Sequence, residues 1–188
     1  MIKKVMVWEE GSALNIAIVN NDIKTALGLI DSKYYSMLDD GIIRYFELAC
    51  DLNRTEIAIK FIEEGMFIHE LPTLQIAALN GNIELTKYFY FHALNIKESF
   101  NGASLGESIC EAVHSGNIEV VDFLISVKAD VNYEEERPLS IAAQKGFVDI
   151  AKLLISHGAK VKANRGEALR NAKKYQQGEM VNYLSSLY

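Results

Sequence analysis

Residues able to carry catalysis or bind a metal are few and scattered in this chain. The histidines His69, His92, His114 and His157 show neither H-x3-H nor HExxH spacing, and each belongs to a different segment. The cysteines are Cys50 and Cys110. A nucleophilic thiol needs a nearby base and an electropositive setting, and neither cysteine has one in its sequence neighbourhood. Gly102-Ala-Ser-Leu-Gly106 is a lone G-x3-G with no Lys-Ser or Lys-Thr behind it, so it makes no phosphate cradle. No catalytic residue, cofactor or metal site is expected. What remains is charge: the stretch NYEEERPLS at 132–140 packs three glutamates between Val131 and Pro138. Such a triplet is either a solvated turn or a recognition element, and the elements around it must decide.

The totals narrow the classes. The chain has 188 residues, 49% hydrophobic and 23% charged, which suits a folded core rather than disorder. A net charge of −6 argues against nucleic acid as the default partner, because phosphate neutralisation needs clustered Lys and Arg. Cysteines without CxxC spacing fit a reducing compartment. The apolar run in MIKKVMVWEEG is too short for a secretion signal, and no stretch approaches a membrane span. A cytoplasmic, monomeric protein is expected.

The strongest signal is internal repetition. PLSIAAQKGFVDIAKLLISHGAKV at 138–161 recurs at 108–131 as SICEAVHSGNIEVVDFLISVKADV and at 73–96 as TLQIAALNGNIELTKYFYFHALNI. Fainter copies stand at 45–68 and 13–36, and a last begins at Ala168. One residue divides each copy: Asn21, Asn53, Gly81, Gly116, Gly146 and Gln176, at intervals of 32, 28, 35, 30 and 30.

Each copy reads as two helices. Leu139, Ala142 and Ala143 form one apolar face, and Pro138 suits a first helical turn. Gly146 ends that helix in the left-handed region. Val148, Ala151, Leu154 and Ile155 then form a second stripe, closed by Gly158. Asp149 near its start and His157 near its end both favour the helix dipole. Asn82 and Asn117 are expected N-caps, with Glu84 and Glu119 in the first turn. Ser104-Leu105-Gly106-Glu107 fits a capping box, so the fourth inner helix is expected to begin early, near Ser104, after an Asn101-Gly102 turn. Of the aromatic run 88–91, Tyr88 and Phe89 belong in the core, and Phe91 packs on the outer side.

PLSIAAQKG followed by FVDIAKLLISHGAKV resembles an ankyrin repeat, at most positions of TPLHxAAxxGHxEVVxLLLxxGADVN, and the likeness runs from about residue 12 to the end. It implies an all-α repeat solenoid of about six helix-turn-helix units joined by short β-hairpin fingers. Residues 1–11 are an N-terminal extension, and the units lie at about 12–40, 41–70, 71–101, 102–133, 134–163 and 164–188. TPLH is never complete, with Cys110 and Ser140 in its histidine place. Glutamine tolerates a left-handed turn poorly, so the sixth unit is expected to be the least regular. The degraded wording is similar to ankyrin proteins of intracellular bacteria and large viruses.

The resemblance implies function by surface: a non-catalytic module holding a partner protein in the groove of inner helices and fingers. The groove residues are Leu79, Asn80, His114, Ser115, Gln144, Lys145, Lys174 and Tyr175. The fingers add His69, Glu70, Tyr133, Glu134, Glu135, Glu136, Arg137, Lys162, Asn164 and Arg165. Tyr133 is the expected affinity anchor. The glutamates either orient a partner or pair with Lys160, Lys162 or Arg165 of the next finger. An enzyme or small-ligand receptor using the groove is the alternative, disfavoured because such a surface lacks an enclosed pocket. An inhibitory or adaptor subunit, or a host-directed effector, is compatible with the main reading.

Overall fold

The computed structural model of the protein describes residues 13–30, 41–64, 72–95 and 102–188. Among these, twelve helices and no strand occur. They are α1 (13–20), α2 (Ile23–Ile30), α3 (Gly41–Asp51), α4 (Thr55–Glu63), α5 (Thr73–Leu79), α6 (Ile83–Asn95), α7 (Gly102–Ser115), α8 (Ile118–Ser126), α9 (Tyr133–Lys145), α10 (Val148–Ser156), α11 (Ala163–Lys174) and α12 (Gly178–Ser185). Odd-numbered helices are the inner members of each pair and even-numbered ones the outer. None is long and apolar enough to cross a membrane.

The dividing residue of every copy takes the left-handed conformation: Asn21, Asn53, Gly81, Gly116, Gly146 and Gln176 have φ between 54° and 77°. That conformation reverses the chain in one residue, which is why the two apolar stripes of a pair meet. Gln176 adopts it at φ 58° as readily as the asparagines. The sixth pair is therefore not set apart from the others at its turn, contrary to expectation. The packed helices on either side fix the backbone and override the residue's own preference.

The chain divides into two compact units, Met1–Ile76 and Ala77–Tyr188. In the first, α4 packs on α2 and α3. Phe46 and Phe61 meet edge to face with centroids 6.4 Å apart, both buried. Arg54, just after its turn, donates from Nε to the Ile18 carbonyl (3.1 Å) and from Nη2 to that of Val19 (3.0 Å).

In the second unit α9 lies between α7 and α11, while α8 and α10 continue an outer layer from α6 to α12. Small residues floor the inner layer: Ala77, Ala78, Ala112, Ala142, Ala143 and Ala172 are all fully buried, so the helices approach closely. Leu124, Leu139 and Leu154 fill the space between layers, each contributing about 2 kcal/mol by leaving water. After the last three turns the next residue ties its pair to the preceding one. Asn117 Nδ2 donates to the Gly81 carbonyl at 2.8 Å, and Gln177 Nε2 to that of Gln144 at 3.0 Å. Phe147 instead lays its ring on Gly116, where an added Cβ would stand 2.9 Å from Cζ.

The caps follow the sequence. Asn82 Oδ1 accepts from Leu85 N–H at 3.0 Å, and Asn117 Oδ1 from Glu119 (3.0 Å) and Val120 (3.2 Å). Asp22 does the same for Thr25, and those bonds hold its carboxyl below the usual range. Two expectations change. Helix α7 begins at Gly102, so Ser104 stands inside the helix rather than at its cap and Gly102 is helical. Asn101 lies outside the described residues, as do the extension 1–11 and the finger residues His69 and Glu70.

Candidate protein-binding surface

The two fingers within the described residues carry no strand pairing, unlike the expected hairpins. Only six residues separate Val131 from Pro138. The chain instead winds one left-handed turn straight into the inner helix. Glu134, Glu135 and Glu136 have φ of 45°, 57° and 72°, and Asn164, Arg165 and Gly166 have 45°, 56° and 68°. Glu136 N–H reaches back to the Asn132 carbonyl and Gly166 N–H to that of Lys162, both at 3.3 Å. Four of those six residues, the three glutamates and Arg165, have side chains that disfavour this region, so the surroundings must hold it.

In the fifth finger the fastener is Glu136, only 5% exposed. Its carboxylate faces the Lys160 backbone N–H. With its amide nitrogen turned inward, Asn132 donates to Glu136 Oε1 at 3.0 Å and to the Gly158 carbonyl at 3.2 Å. Burial pushes the Glu136 carboxyl above its ordinary range, opposed by that N–H and by the Lys160 charge. Glu134 pairs with Arg137 at 2.6 Å in its own finger, and Glu135 is exposed. The triplet is therefore divided. Glu136 is an internal bolt and not a surface contact, and Glu134 turns to Arg137 rather than to the next finger.

Tyr133 is also engaged. One edge of its ring lies against Gly106 of α7, where a Cβ would fall 2.1 Å from Cδ2. It is half-buried, and burial raises its phenol pKa. In the sixth finger the small Gly166 leaves a matching gap filled by the Tyr188 hydroxyl. Lys162 Nζ donates to the Tyr188 carbonyl at 3.1 Å and lies 5.1 Å from that ring. Arg170 caps the turn through the carbonyls of Arg165 and Asn164, the latter at 3.1 Å, while Asn164 donates to Glu167.

The residues before each turn form the other part of the surface. Leu79 is 49% exposed and Tyr175 is 44% exposed, with Lys174 Nζ 5.2 Å from the Tyr175 ring. Lys145 and Lys174 are exposed; Asn80, His114 and Gln144 are half-buried. Ser115 is spent locally: its Oγ donates to the Ala112 carbonyl (2.7 Å) and accepts from Asn117 N–H (3.2 Å).

The chemically reactive groups are sequestered. Burial pushes the thiols of Cys50 and Cys110 up to about 12, so neither is a nucleophile at neutral pH. Among the described residues no cluster of three His, Cys, Asp or Glu could hold a metal. Ser140 Oγ, in the place of the TPLH histidine, is buried and unbonded among them. On the outer layer Phe89 is buried as expected and Tyr88 is half-buried against it. Phe91 is 53% exposed, its ring near Tyr90 and Phe123. The Tyr133 contact escaped sequence reasoning, although an isolated glycine inside an otherwise helical stretch was its trace.

Residues 74–165 and 109–187 match the family model described as ankyrin repeats (3 copies). Over 52 residues the chain is 48% identical to protein phosphatase 1 regulatory subunit 27 of Homo sapiens, covering 26% of this chain and 34% of that protein. It is 32% identical over 80 residues to the NF-kappa-B inhibitor cactus of Drosophila melanogaster, 40% of this chain and 16% of the relative. Putative ankyrin repeat protein R600 of Acanthamoeba polyphaga mimivirus is 23% identical over 162 residues, 86% of this chain and 45% of its own. The chain thus spans less than half the length of each of these relatives. With the helix pairs, the left-handed turns and the matched residues agreeing, the chain belongs to the ankyrin-repeat family.

Proposed function

We propose that the chain is a non-catalytic module that binds a partner protein along the ends of its inner helices and its fingers. The observation that carries this reading is the exposed row before the turns, Leu79, Lys145, Lys174 and Tyr175. A leucine and a tyrosine nearly half exposed on a rigid repeat scaffold offer anchors that need little ordering on binding. His114, Gln144, Asn80 and, in the fingers, Glu134, Glu135, Arg137, Lys162, Asn164 and Arg165 complete the proposed surface. Tyr133 presents only the edge left free by Gly106.

A regulatory role is the finer form of the reading. Two relatives are named a phosphatase regulatory subunit and an NF-kappa-B inhibitor, and both names describe proteins that act on another protein. In this reading the chain is an adaptor or inhibitory subunit that works in the cytoplasm without a cofactor. Affinity capture from cell extract, with Leu79→Ser/Tyr175→Ser as the comparison, tests the surface. The variant should lose the captured partner while keeping its helical circular dichroism. Equal capture by both proteins would show that the row is not the binding face.

A further inference from the structure

The chain's charge is segregated. Residues 138–188 carry eight Lys and Arg against three Asp and Glu, a balance of +5, whereas residues 1–137 carry eleven against twenty-two, a balance of −11. The structure leaves much of that positive charge unspent. Lys145, Arg165, Arg170, Lys173 and Lys174 are all exposed, and none has a carboxylate partner among the described residues. Arg170 is held on backbone carbonyls, and Glu167, the acid of α11, accepts from Asn164. The cations line the last two inner helices, and the apolar Leu79 stands at the far end of the same row.

We infer that this row recognises a short acidic segment of a partner protein, its carboxylates over Lys145 and Lys174 and an apolar side chain over Leu79. The inference rests on the protein-binding reading above and names the chemistry of its partner. From Leu79 to Lys174 the row crosses three helix layers of about 9 Å, roughly 27 Å, the reach of about eight extended residues. A polyphosphate fits less well. A short peptide's apolar residue uses Leu79, which a phosphate backbone leaves idle.

The test is fluorescence anisotropy with a labelled peptide of about ten residues, tryptophan at one end and glutamates filling the other half. Its counterpart carries lysines in place of the glutamates, and an oligothymidine of similar length competes. The glutamate peptide should bind better than the lysine peptide, lose affinity with added salt, and resist oligothymidine. Lys145→Glu/Lys174→Glu should weaken it about tenfold, the scale of two exposed contacts turned repulsive. Equal binding of the lysine peptide, or equal competition by oligothymidine, would overturn the inference. The capture experiment separates the two claims. A partner lost from Leu79→Ser/Tyr175→Ser but held fully by Lys145→Glu/Lys174→Glu leaves the binding surface standing and removes the acidic preference.

Discussion

The fifth and sixth fingers follow one backbone with two sets of side chains. Both wind three residues into the left-handed region before an inner helix, with matching reach-back bonds of 3.3 Å. One spells Glu-Glu-Glu and buries its third carboxylate; the other spells Asn-Arg-Gly and leaves a gap that Tyr188 fills. The spacing between neighbouring helix pairs therefore dictates the turn, and the residues supply whichever fastener they can. The fifth finger is held by hydrogen bonds to a carboxylate, the sixth by an aromatic lid.

That contrast is most directly broken at Glu136. Glu136→Ala leaves the Asn132 amide without its acceptor and takes the carboxylate away from the Lys160 N–H, and should cost about 2 kcal/mol in urea unfolding. Glu136→Gly, which copies the sixth finger, should recover about 1 kcal/mol of this, because φ 72° strains alanine and not glycine. Equal stability of the two variants would mean that the turn carries no strain.

The second test concerns the ring that seats the fifth finger. Gly106→Ala improves helix propensity by about 1 kcal/mol but drives a methyl into the Tyr133 ring, and a net loss of about 1–2 kcal/mol is expected. With Tyr133→Ala in the background the same change should become a gain of about 1 kcal/mol. A gain in both backgrounds would place the ring elsewhere.

Gly166→Ala should cost less, about 1 kcal/mol, from its φ of 68° alone. The Tyr188 hydroxyl lies at the end of a side chain that can swing aside, so thermal melts of this variant should move only slightly.

The smallest effect is one of pH. Burial raises the Glu136 carboxyl above its ordinary 4.5, so the folded state favours the protonated acid. Its contribution is full below the ordinary value and is lost as pH rises through the raised one. The melting temperature of wild type relative to Glu136→Gln should therefore decline across that interval. A flat difference would show that the carboxyl titrates normally.

Most of the scaffold was legible because it depends on local rules. A turn at positive φ asks for Gly or Asn, and five of the six dividing residues are one or the other, which set the phase of every pair. Asn82 and Asn117 announced their caps by type and position. The fingers were not legible. No propensity places three glutamates in the left-handed region, and the hairpin expectation came from the family's longer connections. Tyr133 was read as an open anchor because the sequence does not show which glycine faces it across twenty-seven residues. The segregation of charge was present in the sequence but hidden by a net value that sums both segments.

Asn117 uses one amide on two neighbours: its oxygen caps α8, and its nitrogen bonds the carbonyl of Gly81. In a one-dimensional lattice of repeats, stability splits into a term for each unit and a coupling between adjacent units. This side chain contributes to both terms through different atoms. An aspartate there keeps the acceptor and gives up the donor, so it leaves the unit's own term in place and weakens the coupling. The sharpness of the unfolding transition, and the distance over which one repeat senses the state of the next, can thus be adjusted by exchanging a single nitrogen for oxygen.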